Sequence, residues 1–262
     1  MCNNWLQYAH IYAWGLENGV RTVSMRFAYK YRYFRISETP WHNPAVYLLA
    51  KTLIKTRLIK CLWLQHPRQR TDGTVLRLLR GSCLIAADGW SFRHPALFMK
   101  YSKEIRSLFA FREGRIAARK AWLAALPPAD IRLGVHVRRG DYAKWQGGAY
   151  YFGDDVYAAS IRQFAGLHPG KRIQVLVATN DPATDIGLLR RVSGVDDIHL
   201  IGGNPGEDLY VLSECGYLIG PKSTFSLVAA FYNDAMIHWI ENKDERLTDG
   251  SFCRFEDVFM TV

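Results

Sequence analysis

Ile131-Arg132-Leu133-Gly134-Val135-His136-Val137-Arg138-Arg139-Gly140-Asp141-Tyr142 is the stretch on which the fold turns. Its first seven residues read as a short apolar strand, and the charged residues follow at its C-terminal end. Side-chain alternation places His136 and Arg138 on one side and Arg139 on the other. Downstream, residues 154–164 have helical spacing, with Asp154 or Asp155 as N-cap. Residues 173–178 form a continuous β-branched run, as in a strand covered on both faces. A helix over 185–192, a strand over 197–201, a helix over 207–215, a strand over 217–220, a helix over 223–232 and a strand over 235–240 complete the series. Strands and helices alternating at short spacing predict an α/β fold with a parallel, doubly wound sheet.

Upstream, residues 4–17 read as a helix, 21–25 as a strand, 42–61 as a basic amphipathic helix and 82–87 as a strand. Residues 95–109 and 112–125 read as further helices. Pro127-Pro128 marks a linker. The chain therefore divides into two α/β domains, residues 1–128 and 129–262. No repeat or low-complexity segment interrupts it.

The 262 residues are 49% apolar and 22% charged, ordinary for a globular protein and unlike a disordered one. Five cysteines, with no CxxC among them, fit neither a disulfide framework nor a zinc site. A reducing cytosol is the expected setting. Met1 is followed by polar residues, not by a signal-peptide apolar region. The apolar stretch 46–64 is broken by Lys51, Lys55, Arg57 and Lys60 and does not read as a membrane span. Charge is uneven. Residues 1–130 hold 21 Lys/Arg against 7 Asp/Glu (+14), and residues 131–262 hold 13 against 17 (−4). The basic half suits an anionic membrane, an anionic substrate or a nucleic acid, or is a solvated surface.

Parallel sheets bind ligands at the C-terminal ends of their strands. There, the fork of Arg138 suits a diphosphate. Alternatively, Arg138 and Arg139 form a structural ion-pair centre with Asp141. Thr179-Asn180-Asp181 after the second strand reads as a nucleotide-facing loop or a plain helix cap. Ser223-Thr224-Phe225-Ser226 after the fourth strand offers hydroxyls and helix N-terminal N–H groups to a phosphate, or simply caps. Asp208, in the first turn of its helix, balances the helix dipole or accepts donors from a guanine edge.

The segment HVRRGDY resembles the HxRRxD motif of fucosyltransferases, and is most similar to that of the α-1,2-fucosyltransferase family of bacteria and animals. Further segments fall in the same order. Residues 4–9 (NWLQYA) resemble the family's N-terminal GNQLFQYA. Residues 90–109, from Trp90-Ser91-Phe92, resemble its middle segment. Residues 177–181 (VATND) resemble its second-strand motif, and EDLYVLS through STFS (207–226) its DLxLMS…NSTFSWW block. The likeness spans most of the chain.

The resemblance implies a GT-B-like fold with two Rossmann-like domains facing a cleft, residues 1–128 on the acceptor side and 129–262 binding the nucleotide sugar. It implies an inverting, metal-independent transfer of fucose from GDP-fucose to a glycan acceptor, without cofactor. By motif, Arg138 binds the β-phosphate, His136 and Asp208 hold the guanine, and Thr179, Ser223, Thr224 and Phe225 line the donor site. Asp141 is the candidate base, unless Arg139 holds it in a salt bridge. Asn4 and Tyr8 fall on the fucose and acceptor side. The chain departs from the family in two places. The family's first strand and Gly-rich turn precede its Asn, whereas Met1 here stands two residues before Asn3. The aromatic pair after STFS is Leu227-Val228.

Three alternatives compete with this reading: a transferase using another nucleotide sugar, an inactive GDP-binding relative, and a polyanion- or nucleic-acid-binding protein. The Tyr/Arg run 26–35 fits a half-exposed strand better than a nucleic-acid surface. Arg139-Gly140-Asp141, spelling an adhesion tripeptide, lies inside the strand-edge motif. His10, His42, His66, His94 and His168 are isolated, with no metal-ligand spacing. Finally, residues 42–70 are expected to form a helical surface with one apolar stripe, facing the core or a membrane, and one cationic stripe that touches anionic membrane or an anionic acceptor, not DNA; the expected location is cytoplasmic and membrane-peripheral.

Overall fold

The computed structural model describes residues 1–26, 32–64, 73–82, 84–89 and 92–259. Trp90, Ser91, His66, Cys83, residues 65–70 and much of the 26–35 run lie outside them. The chain forms two compact units, residues 1–115 and 116–262. The division falls one helix earlier than the Pro127-Pro128 pair, because most of the helix before the prolines belongs to the second unit.

In the first unit, helix α1 (Cys2–Asn18) ends where Gly19 turns left-handed, with φ of 66°. Strand β1 (Arg21–Ser24), helix α2 (Pro44–Lys55), strand β2 (Cys61–Leu64), helix α3 (Gly73–Arg80) and strand β3 (Leu84–Gly89) follow. Helices α4 (Pro95–Lys100) and α5 (Ser102–Leu108) replace the single helix expected over 95–109, and α6 (Glu113–Ala125) leads into the second unit. The three strands form a parallel sheet, ordered β1-β3-β2. Helix α1 is buried on nearly all sides, and Trp5 packs against Phe109 at 4.6 Å between ring centres.

The expected basic helix over 42–61 is shorter. Asn43 caps α2 by accepting from the Val46 N–H, and the helix stops at Lys55. Arg57 takes a positive φ of 60°, and the chain turns into β2. The two-stripe picture changes with it. Ala50 is buried and Leu53 and Ile54 are half-buried, but Leu48 and Leu49 face solvent with Lys51 and Lys55.

The second unit follows the sequence closely. Strands β4 (Ile131–Val137), β5 (Ile173–Thr179), β6 (Ile198–Leu200), β7 (Tyr217–Pro221) and β8 (Met236–Ile240) form one parallel sheet in the order β6-β5-β4-β7-β8. Helices α7 (Asp154–Leu167), α8 (Ile186–Ser193), α9 (Pro205–Ser213) and α10 (Thr224–Asn233) connect them, and α11 (Phe255–Phe259) closes the unit. Leu133, Val135, Val137, Val175, Val177 and Ile219 are wholly buried, as strands covered on both faces require. Burying these side chains contributes about 1.5–3 kcal/mol each.

Strand order reverses between β4 and β7, and ligands in such sheets sit at the C-terminal ends of the strands at that switch point. Arg138 follows β4 directly, and Ser223 follows β7 by one residue.

Candidate functional site

Strand β4 delivers the arginines in the alternation its sequence dictates. The Arg139 side chain turns inward and is 7% exposed. Its guanidinium donates to Asp154 at 2.5 Å, to Asp181 at 3.0 Å and to the Phe152 carbonyl at 3.0 Å. Its backbone N–H donates to Asn180 Oδ1 at 2.8 Å. Arg139 thus ties the ends of β4 and β5 to the start of α7. Asp154 is consequently not the N-cap of α7; Gly153 holds that position, and Asp154 also accepts from the Asp185 N–H. The chain escapes past Arg139 through Gly140, whose φ of 39° places it against Asn180; a Cβ there would lie 2.8 Å from the Asn180 side chain.

Arg138 points the other way and keeps its fork accessible. Its Nε and Nη2 donate to the two Asp141 oxygens at 3.0 and 2.9 Å. The ion pair therefore joins Asp141 to Arg138, and Arg139 has other partners. The Arg138 guanidinium holds the Asp141 carboxyl below its usual range. Asp141 is a weak base while this pair persists. The Arg138 guanidinium also stands 5.5 Å from the Tyr142 ring centre, and the Tyr142 hydroxyl donates to the Lys222 carbonyl at 2.9 Å. That bond links the β4 and β7 loops across the switch point.

His136 sits one alternation before Arg138, buried beside Phe225 with ring centres 4.9 Å apart. Burial, helped by the charge of Arg138, lowers its pKa to about 3, so the ring is neutral at physiological pH. Its Nδ1 is buried without a hydrogen-bond partner, an unmet polar atom at the strand edge.

Around these groups, Thr179 Oγ1 accepts from the Asp181 N–H at 3.0 Å and meets Thr184 Oγ1 at 2.8 Å, so its hydroxyl holds the turn after β5. Ser223 caps α10, its hydroxyl accepting from the Phe225 N–H at 3.2 Å. Thr224 and Phe225 open that helix, whose first-turn N–H groups carry the positive end of its dipole. Leu227 and Val228, in place of the aromatic pair, are fully buried.

Asp208 lies in the first turn of α9, a helix that Asn204 and Glu207 open with a reciprocal capping box. Burial raises its pKa to about 6, against the Gly203 N–H that it accepts at 3.0 Å and the charge of Arg119. Gly203 is required at that seat, since a Cβ would fall 2.7 Å from the Asp208 carboxylate. A half-buried carboxylate with one donor has room for more.

Seven of the named residues thus gather at the C-terminal edge of the second unit's sheet: His136, Arg138, Asp141, Thr179, Ser223, Thr224 and Phe225. Asp208 opens a helix that begins at the same edge, after β6. Tyr8 behaves differently: it is 1% exposed and its hydroxyl donates to the Thr22 carbonyl at 2.8 Å. That bond fastens α1 to β1. Asn4 is buried in the same helix. Asn180 and Tyr142 are site residues whose roles the sequence did not single out; both stand inside the motifs, but a side chain that braces a loop has no pattern of its own. Among the described residues no three His, Cys, Asp or Glu side chains gather as a metal site.

No protein-family model matches the chain, and no curated protein matches it. Solved structures do. The NodZ alpha-1,6-fucosyltransferase soaked with GDP-fucose aligns at TM-score 0.54 and 16% identity, over 90% of this chain and 91% of that one. Fucosyltransferase NodZ from Bradyrhizobium aligns at TM-score 0.53 and 16% identity, over 94% and 91%. POFUT1 in complex with GDP aligns at TM-score 0.43 and 13% identity, over 58% of this chain; the chain spans 53% of POFUT1's length there. With NodZ the likeness is one of fold: the chain is an α/β protein of the GT-B-like kind, with two Rossmann-like parallel-sheet units.

Proposed function

We propose that the protein is a glycosyltransferase that moves fucose from GDP-fucose to a glycan acceptor, with inversion and without a metal. The observation that carries this reading is the Arg138 fork at the β4–β7 switch point, where α10 begins after β7 with Ser223 as its cap. The NodZ structure soaked with GDP-fucose supports it through the shared fold.

In this reading the acceptor hydroxyl attacks the anomeric carbon as the bond from that carbon to the diphosphate oxygen breaks. The leaving GDP gains negative charge. Arg138 and the α10 N–H groups meet that charge, and such donors are typically worth about 3–4 kcal/mol of transition-state stabilisation. The diphosphate competes with Asp141 for the same fork. Binding donor therefore releases Asp141, which becomes more basic on losing its cation and takes the acceptor proton. Asp208 accepts N–H donors from the guanine edge, and the neutral His136 offers its unmet Nδ1 to the nucleoside. Incubation with GDP-fucose and a panel of oligosaccharides, in excess EDTA, tests this: fucosylated product is expected. Loss of all transfer on chelation, restored by magnesium or manganese, contradicts metal independence. The α-1,2 linkage rests on the motif resemblance, and methylation analysis of the product decides between it and α-1,6.

We further propose a peripheral seat on an anionic, cytoplasmic membrane face through α2 and the turn after it. Leu48, Leu49 and Leu58 are 60%, 58% and 73% exposed, amid exposed Lys51, Lys55, Arg57 and Lys60. Exposed leucines set among cations are the composition of an interfacial surface. Among the described residues no helix is long and apolar enough to cross a membrane.

A further inference from the structure

The five-stranded sheet has a second cavity, at its outer margin. It measures about 480 Å³ and is lined by Tyr151, Asp155, Glu241, Asn242 and Lys243, with Ala149, Phe152, Gly153 and Val156 completing the wall. That volume lies within the range of small-molecule sites, about 300–1,000 Å³. Glu241 directly follows β8, and Tyr151 lies in the loop that starts at Arg138. The cavity therefore opens at the same strand edge as Arg138, displaced toward β8. Two strand spacings separate β4 from β8, about 10 Å.

The lining has a specific chemistry. Tyr151 is 47% exposed, a large ring left facing solvent beside polar groups. Among the described residues neither the Asp155 nor the Glu241 carboxylate makes a hydrogen bond or ion pair within the protein. Asn242 Oδ1 accepts from the Asp244 N–H at 3.0 Å, which turns its amide NH₂ free as a donor. Lys243 adds a cation. The wall thus combines one aromatic face, two uncommitted acceptors and two donors. The two carboxylates outweigh the one ammonium, so an anionic ligand is disfavoured, in contrast to the Arg138 end. A pyranose matches the set: its C–H face packs on an aromatic ring, and its neutral hydroxyls both donate to carboxylates and accept from amide and ammonium.

We infer that this cavity is a glycan subsite, with Tyr151 as the stacking platform and Asp155 and Glu241 as hydroxyl acceptors. It holds a sugar of the acceptor outside the reacting residue. The inference rests on the transferase reading for the identity of that sugar chain, but binding at the cavity is measurable without turnover.

The test is saturation-transfer NMR on the full chain with free lactose, N-acetyllactosamine, cellobiose, maltose and chitobiose, alongside GDP calorimetry on the same samples. At least one disaccharide is expected to receive saturation at its ring C–H protons. Tyr151→Ala is expected to reduce that signal at least fivefold, and the pair Asp155→Asn with Glu241→Gln to weaken it, with GDP affinity unchanged in each. Tyr151 and both carboxylates are exposed, so folding is retained, and thermal midpoints within a few degrees of wild type verify this. Absence of signal from all five sugars, or a signal that survives Tyr151→Ala, overturns the subsite. Failure of GDP to bind, with sugar binding intact and Tyr151-dependent, overturns the donor assignment and leaves the subsite standing.

Discussion

Arg138 and Arg139 are adjacent in sequence and opposite in role, and strand alternation is the whole reason. Arg139 is buried among Asp154, Asp181 and the Phe152 carbonyl. Removing it leaves carboxylates without their cation, so Arg139→Met is expected to cost roughly 3 kcal/mol of stability, read by urea denaturation. Arg138→Ala removes no buried partner; the fold should persist and transfer should fall by about two orders of magnitude or more. Transfer within threefold of wild type would defeat the assignment. Asp141 offers the sharpest residue-level test. Asp141→Asn frees the fork while removing the base, so GDP should bind at least as tightly as to wild type while transfer is lost. Weaker GDP binding together with normal transfer would refute the competition between Asp141 and diphosphate. The arginine pair was legible in the sequence. The partner of Asp141 was not, because a residue two positions from one arginine and three from the other can reach either, and only the turn at Gly140 decides.

Single elements were legible where their ends carried chemistry. Asp185 caps α8 and Ser223 caps α10, each by a side-chain bond to a backbone N–H, whereas α9 starts at Pro205, two residues before the expected 207, because Asn204 and Glu207 cap it together. Periodicity failed on α2, where apolar and basic residues at helical spacing ran on into β2 and concealed both the stop at Lys55 and the strand. Its solvent-facing leucines give the α2 surface its measurable property. Each cation near an anionic leaflet contributes about 1 kcal/mol, so reversing Lys51, Lys55, Arg57 and Lys60 to Glu should abolish co-sedimentation with phosphatidylserine-containing vesicles at physiological salt. Equal partitioning of both proteins would mark the surface as solubilising only. Tyr8, in the NWLQYA segment, is buried and its hydroxyl donates to the Thr22 carbonyl, a packing role that the segment's resemblance does not convey.

At the scale of the whole molecule, the second unit was readable almost strand by strand, because a doubly buried parallel sheet writes itself as continuous apolar runs. The first was legible in part: α1, β1, β3 and α6 fall close to where the sequence placed them, but β2 and α3 went unread and the helix over 95–109 is two, because these elements are only four to eight residues long. Both units bury histidines. Burial lowers His10 well below its ordinary value, His42 to about 4 and His136 to about 3. Their folded pKa values lie below the unfolded value near 6.5, so the unfolded chain binds more protons between those limits. The stability they contribute is fully present above pH 6.5 and is lost as pH falls toward 4. A thermal midpoint that declines over that range checks this; a midpoint flat from pH 7 to 4 contradicts it.

Asp208 responds in the opposite sense, and in the proposed reading it is the residue that selects the nucleotide. Its folded pKa of about 6 lies above the unfolded value of 3.8, so its contribution to stability is present below 3.8 and lost as pH rises through 6. A guanine edge that donates to the ionised form should recover that loss on binding. Isothermal titration of the full chain with GDP and with UDP, at pH 7.5 and pH 5, therefore tests the central claim most directly. The account predicts GDP binding at pH 7.5 that weakens at pH 5, little binding of UDP, and loss of GDP binding in Arg138→Ala. No heat of binding from GDP at either pH, or equal affinity for UDP, would contradict it.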